Sequence, residues 1–290
     1  MSWLTYVTSV PGKWVLAGEH TVLRGGSAIV FPHPEFRLSL DFRPAPGNLV
    51  VEPDLAKPVM HELLKIAKEW LFRRGVQMEL PRGRLSIEST IPFGAGLGSS
   101  AALSVATARW ALSAHSLDRA LERELAREME NRFHGRSSGM DVAVVSIGEP
   151  IRFSMAEGAV GLGIRNVPAF VFVDSGLRAS TRDCIEKVEG LRTSDPARGE
   201  VLDREMMRAT DEILEGLRAE NDSAGSGIDR VARGMRRAGE VFAAWDLVPE
   251  EVREILMKLE AEGIRSPRLT GAGGGGYIVG LPPPARGHRL

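Results

Sequence analysis

The sequence predicts an α+β chain, on three observations. It has 290 residues, enough for one large domain or two fused lobes; strand-period and helix-period segments interleave through its first half; and a glycine turn joins a strand to a helix. Phe36, Leu38, Leu40 and Phe42 alternate with Arg37, Ser39 and Asp41, the period of a half-buried strand. Val59, Leu63, Ile66, Ala67, Trp70 and Leu71 then mark one face of a helix. Leu85, Ile87, Ser89 and Ile91 alternate with Arg84, Ser86, Glu88 and Thr90 in a second strand that ends at Pro92. Ala101 to Ala108 reads as a helix whose small side chains let its neighbours approach. Leu117, Leu121, Leu125, Met129 and Phe133 recur every four residues, so a helix from about Ser116 would bury that stripe. Residues 152–163 read as glycine-rich and irregular, and the lobe boundary is expected there, dividing the chain into 1–155 and 156–290 ahead of a strand at Val171-Phe172-Val173. Residues 195–200 read as a surface loop, Met206, Met207, Ile213, Leu214 and Leu217 as the core face of the next helix, and residues 287–290 as a frayed tail.

Composition removes several function classes. The chain is 43% hydrophobic and 26% charged, as globular proteins are, and a net charge of −1 gives no electrostatic case for nucleic acid or an anionic membrane. Cys184 is the single cysteine, so no intrachain disulfide forms and a reducing compartment fits. The first residues lack a charged start followed by a long apolar core, and no apolar run reaches spanning length. A cytoplasmic location is the expectation.

The most informative stretch is Pro92-Phe93-Gly94-Ala95-Gly96-Leu97-Gly98-Ser99-Ser100-Ala101-Ala102, a strand end, a glycine turn and a helix start in succession. Glycines leave backbone N–H groups uncovered, and a helix start adds unpaired donors and the positive end of its dipole, so an anion is the natural guest. The spacing is neither G-x-G-x-x-G nor G-x-x-x-x-G-K-[ST]. A tight helix-packing turn is the alternative. Two further segments accompany it: Pro11-Gly12-Lys13 running on through Gly18-Glu19-His20-Thr21-Val22-Leu23, and Thr270-Gly271-Ala272-Gly273-Gly274-Gly275-Gly276 running into Tyr277-Ile278-Val279. Taken singly, Lys13 and Glu19 also read as surface charges, His20 as a structural histidine and the late glycines as a linker. A glycine turn feeding directly into a strand points instead to backbone laid against a ligand or another loop.

The three motifs, in this order, resemble those of the GHMP small-molecule kinase superfamily, and Gly18-Glu19-His20 with Val22-Leu23 is most similar to the mevalonate kinase family. Glu130-Asn131-Arg132-Phe133-His134-Gly135-Arg136-Ser137-Ser138-Gly139-Met140-Asp141 is similar to that family's segment ending in Ser-Gly-x-Asp. The longer Arg-Asn-containing first motif of galactokinases is absent. The resemblance implies a two-lobed GHMP kinase fold, with an N-terminal α/β lobe carrying the glycine-rich phosphate loop and a C-terminal α+β (ferredoxin-like) lobe. It implies ATP- and Mg²⁺-dependent phosphorylation of the primary hydroxyl of mevalonate, with phosphomevalonate kinase, homoserine kinase and a catalytically silent nucleotide-binding regulator as rival readings. By the same resemblance Asp141 accepts the hydroxyl proton, Lys13 stabilises the transferring phosphate, and Glu130 and Ser100 hold Mg²⁺. ATP falls to Ser89, Gly94, Ala95, Gly96, Leu97, Gly98, Ser99 and Ser100, and the acceptor to Glu19, His20, Thr181, Arg182, Gly271 and Ala272. From the residues alone Glu130 also reads as an exposed i, i+4 partner of His134, Asp141 as a turn or cap residue and Arg182 as a solvated charge. Two departures bear on pocket shape: Leu103 stands where several mevalonate kinases have Tyr, and Gly148-Glu149-Pro150 where many members have Gly-Gly. The motifs leave open whether the chain is a monomer or a homodimer.

Overall fold

The computed structural model describes residues 3–135 and 137–284, the side chain of His134 excepted. Its residues fall into two compact units: the first takes the chain up to Lys13, Pro32–Phe93 and Leu97–Glu149, and the second takes Trp14–Phe31, Gly94–Gly96 and the chain from Pro150 on. The tail at 287–290 lies outside the described residues.

The first unit is built from the start of β1 (Tyr6–Ala17), the later part of β2 (Ser27–Pro44), β3 (Leu49–Glu52), α1 (Lys57–Phe72), β4 (Gly83–Ser89), α2 (Ser99–Ala114), α3 (Glu122–His134) and α4 (Met140–Ile147). β4 pairs antiparallel with β2, Phe42 opposite Leu85 and Leu38 opposite Ser89, and parallel with β3. Leu38, Leu40 and Phe42 are buried and the residues between them are not, so the expected alternation is present and turns this face of β2 onto the core. There Trp3 and Phe42 close on Trp110 of α2, with ring centroids 4.5 and 4.8 Å away. α3 begins six residues later than the leucine spacing predicts. Ser116 sits at φ 54, in the left-handed region that breaks a helix, and Asp118 then caps a single turn by accepting from Ala120 N at 2.8 Å. Leu125 and Met129 are buried, but Phe133 at the end of the stripe is exposed.

In the second unit the early part of β2 is buried from Ala28 to Phe31 without alternation, the pattern of a strand covered on both faces. It pairs with β5 (Ile151–Ser154), which pairs with β6 (Gly158–Gly161). The stretch expected to be irregular is therefore a β-hairpin, its turn closed by Glu157 N donating to Ser154 Oγ at 3.1 Å. β7 (Val171–Asp174) is followed by α5 (Thr181–Ser194), α6 (Pro196–Asp222), α7 (Ile228–Ala244) and α8 (Glu250–Ala261), then β8 (Arg265–Leu269) and β9 (Tyr277–Leu281). The three strands form an antiparallel sheet ordered β7-β9-β8. The loop expected at 195–200 is instead a one-residue break. Asp195 accepts from Arg198 N at 3.0 Å and Pro196 opens α6, a cap and a proline that read as a turn but start a helix. Met206 is buried, as expected for the core face. Gly234 lets α7 approach α6 closely, since a Cβ there would stand 2.5 Å from Ile213 Cγ1. No helix among the described residues is long and apolar enough to cross a membrane.

Candidate active site

In the first unit the site is built around Lys13. Gly12 precedes it because a Cβ there would stand 2.9 Å from Leu97 O, the oxygen that accepts from Lys13 N at 2.9 Å. The lysine is buried, and its Nζ lies 3.0 Å from Asp141 Oδ2. Asp141 stands in the first turn of α4, after Gly139 at φ 86, where the helix dipole favours a carboxylate. Neither residue is the surface charge or simple turn residue that each allows when read alone. Gly98, at φ 77, caps α2 without a side-chain hydrogen bond, and a Cβ on it would fall 2.6 Å from Lys13 Cγ. The lysine stem therefore lies over the end of the glycine loop, at a helix start of the kind that receives anions. Ser89, at the end of β4, is exposed, and its Oγ accepts from Ile91 N at 3.1 Å.

Glu130 is 1% exposed, which excludes the surface reading. Its Oε1 accepts from Ser100 Oγ at 3.0 Å and its Oε2 from Ser104 Oγ at 3.4 Å. Among the described residues no group of three or more His, Cys, Asp or Glu side chains gathers to hold a metal. A carboxylate and a hydroxyl side by side do fit Mg²⁺, a hard ion that takes oxygen ligands and keeps waters and phosphate oxygens for the remainder.

In the second unit the first half of the glycine loop lies against the last motif. A Cβ on Gly276 would stand 2.8 Å from Ala95 O, and one on Gly271 3.7 Å from Gly96 O. Thr270 Oγ1 accepts from Val15 N at 2.9 Å and donates to Val15 O at 2.8 Å, tying this motif to β1. Glu19 and His20 follow Gly18. His20 is held at φ 62, a conformation rare outside glycine. Burial pushes its imidazole down to about 4, so the ring is neutral at pH 7 and donates from Nε2 to Ala272 O at 2.9 Å. Trp245 and Phe242 flank the ring, with centroids 5.4 and 6.1 Å away.

The residue that sequence reasoning missed is Arg268. It is 1% exposed on β8, donates from Nη2 to Glu19 Oε1 at 2.9 Å and from Nη1 to Leu16 O, and lies over the Phe242 ring at 4.6 Å. Burial raises the Glu19 carboxyl and the Arg268 guanidinium draws it back. The one available signal was an arginine directly before Leu269-Thr270-Gly271, where a buried strand would carry an apolar residue. Thr181 and Arg182 stand at the start of α5, which Ser180 caps. Arg182 is 84% exposed and pairs with Glu186 at 2.8 Å, outside the buried cluster. Cys184 is buried, its thiol donating to Gly273 O at 3.3 Å, and burial raises it. Lys13 and Asp141 thus meet, as do Ser100 and Glu130, and His20 meets Ala272.

The model of the GHMP kinases N terminal domain matches residues 56–149. A mevalonate kinase of Aeropyrum pernix is 31% identical over 295 residues, covering 94% of this chain and 87% of its own. The chain belongs to the GHMP kinase family. This GHMP kinase is also 28% identical to a mevalonate kinase of Archaeoglobus fulgidus, over 95% of its own length and 92% of that protein. Its fold is similar to that of L. major mevalonate kinase solved in complex with R-mevalonate, with a TM-score of 0.78 at 21% identity over 98% and 88% of the two chains. It is also similar to Streptococcus pneumoniae phosphomevalonate kinase, with a TM-score of 0.75 at 15% identity over 96% and 92%. One fold thus serves two acceptors, and the acceptor has to be argued from residues.

Proposed function

We propose that the chain transfers the γ-phosphoryl group of ATP to the primary hydroxyl of mevalonate, giving 5-phosphomevalonate and ADP. The observation that carries this reading is the buried Lys13 held 3.0 Å from Asp141 beside the end of the glycine loop. Asp141 takes the hydroxyl proton as the oxygen attacks the γ-phosphorus, and the bond to the β–γ bridging oxygen breaks to release ADP. Lys13 supplies positive charge where negative charge develops. Residues 94–100 cradle the phosphates, with Ser89 at the neighbouring strand end. Glu130 and Ser100 would hold Mg²⁺, which would supply positive charge against the phosphate oxygens. In this proposal residues 1–155 serve as the ATP-binding lobe and 156–290 as the second, a functional division that differs from the compact units in residues 14–31, 94–96 and 150–155.

Glu19, His20, Gly271 and Ala272 face the acceptor, and Thr181 and Arg182 serve its carboxylate, Arg182 by leaving Glu186. Mevalonate is favoured over phosphomevalonate by Gly18-Glu19-His20 and by the charge of the buried cluster. Its cation, Arg268, is already held by Glu19 and Leu16 O, and a phosphorylated acceptor calls for another. A silent regulator has no use for a buried lysine paired with an aspartate and a buried carboxylate beside two hydroxyls. The test is a coupled ADP-release assay with mevalonate, phosphomevalonate and homoserine in parallel. Mevalonate should be turned over far better than the other two. Preference for another acceptor refutes the assignment within the family, and no ADP release with any refutes the kinase reading.

A further inference from the structure

Glu122 belongs to none of the three motifs, yet it is only 2% exposed. Its Oε2 accepts from Arg109 Nε of α2 at 2.8 Å and from Arg119 Nε at 3.1 Å, while its Oε1 accepts from Ser146 Oγ of α4 at 2.6 Å. Arg109 closes the cluster by donating from Nη2 to Ser146 O at 2.9 Å. One carboxylate at the start of α3 therefore joins α2, α3 and α4. These are the helices that present Ser100, Glu130 and Asp141.

We propose that Glu122 is a positioning residue for phosphoryl transfer: with Arg109 it clamps one end of the three helices and thereby fixes Ser100, Glu130 and Asp141 at the other. The proposal rests on the function given above. Along α3, Glu130 lies about 12 Å from Glu122, and along α4, Asp141 lies about 7.5 Å from Ser146, so neither touches the clamp directly. What connects them is helix rigidity. α2 buries Val105, Trp110 and Leu112 along with Ala101, Ala102, Ala106 and Ala108, and a close-packed helix of this kind transmits a shift at Arg109 along its length. α4 has only eight residues, so a shift at Ser146 is carried to Asp141. A buried ion pair adds little net stability against an apolar replacement, and fixing one arrangement is its better-attested use. Arg119 is 71% exposed and contributes least.

The test uses the full chain with Glu122→Gln, Ser146→Ala and, as a control, Glu62→Gln, which breaks the exposed pair between Glu62 of α1 and Arg132 of α3. Turnover, the mevalonate KM, and calorimetric affinity for Mg²⁺ with the non-hydrolysable analogue AMPPNP are read on folded protein. Glu122→Gln should lower kcat by ~10- to 100-fold, the range for residues that orient metal ligands and reacting groups, and should weaken Mg²⁺–AMPPNP binding. The mevalonate KM should hold. Ser146→Ala, which loosens α4 alone, should lower kcat and leave the nucleotide affinity at the parental value, and Glu62→Gln should change neither. Should Glu122→Gln fail to fold, Ser146→Ala decides. Parental kcat in either folded variant, with only the thermal midpoint reduced, overturns the proposal. A parent that releases no ADP with any acceptor removes the functional reading instead; the clamp is then judged by Glu122→Gln affinity for Mg²⁺–AMPPNP, and a parental value overturns it.

Discussion

In the first unit Lys13 meets Asp141 at 3.0 Å, with 27% of the aspartate side chain open to solvent. In the second, Arg268 meets Glu19 at 2.9 Å, with neither side chain more than 4% exposed. The separations match and the surroundings do not. Solvent reaches Asp141, so in the proposed reaction its carboxylate stays hydrated when it leaves Lys13 to take a proton, although Lys13 itself, at 7%, is enclosed. Arg268 and Glu19 cannot separate without leaving an ion buried and uncompensated, so that pair holds β8 and the Glu19-His20 segment in place. The same chemical contact is given to reaction by the proposed mechanism in one region and to shape in the other, and the exposure of the carboxylate is what separates them.

Substitutions at the two pairs should therefore fail in different currencies. Lys13→Met should reduce kcat by ~10²- to 10³-fold, the scale for losing a charge aimed at the transition state. Its thermal midpoint should stay near the parental one, and a low midpoint with substantial turnover would reverse the comparison. Arg268→Met should show first as a loss of stability. It leaves Glu19 buried without its cation, and urea unfolding should show a loss of about 3–5 kcal/mol. An unchanged urea midpoint would mean that the second pair is not structural.

Smaller effects sharpen the contrast. Glu130→Gln should raise the Mg²⁺ concentration for half-maximal rate, since an amide is a poorer ligand for a hard cation, and Ser100→Ala should do so more weakly. A Mg²⁺ titration of folded Glu130→Gln that overlays the parent would remove Glu130 from the site. Acid should act on both units alike, through histidines that burial pushes down to about 4: His20 in the second and His33 in the first. His33 Nδ1 accepts from Glu35 N at 3.2 Å and Phe36 N at 3.1 Å, bonds that a protonated ring cannot accept. Unfolded imidazoles bind protons near 6.5, so between about 6.5 and 4 the unfolded state holds more protons and stability falls as pH is lowered. The urea midpoint should drop between pH 7 and pH 5; a flat profile would show that these rings are not held neutral.

The glycine motifs were legible because Gly12, Gly98 and Gly276 stand where a side chain would collide with backbone or with Lys13, and a sequence records that demand directly. The strand at 36–42 and the helix at 59–71 were legible because each turns one face to the core. Buried charge was not. Glu130 sits beside its helix's apolar stripe, where a surface glutamate would also sit. Arg268 finds Glu19 across 249 positions, and Glu122 finds Arg109 across 13, separations that no local period reports. The late start of α3 was hidden because Ser116 takes a left-handed conformation that its sequence neighbourhood does not mark.

The most direct test is turnover of folded Asp141→Asn measured together with calorimetric binding of ATP and Mg²⁺. The amide keeps the size of the carboxylate and loses its capacity to take the hydroxyl proton. Turnover should fall by at least ~10²-fold, as for loss of a general base, while nucleotide binding and the thermal midpoint stay at parental values. Near-parental turnover would contradict the catalytic role of Asp141, and lost nucleotide binding would give the first pair the structural role assigned here to the second.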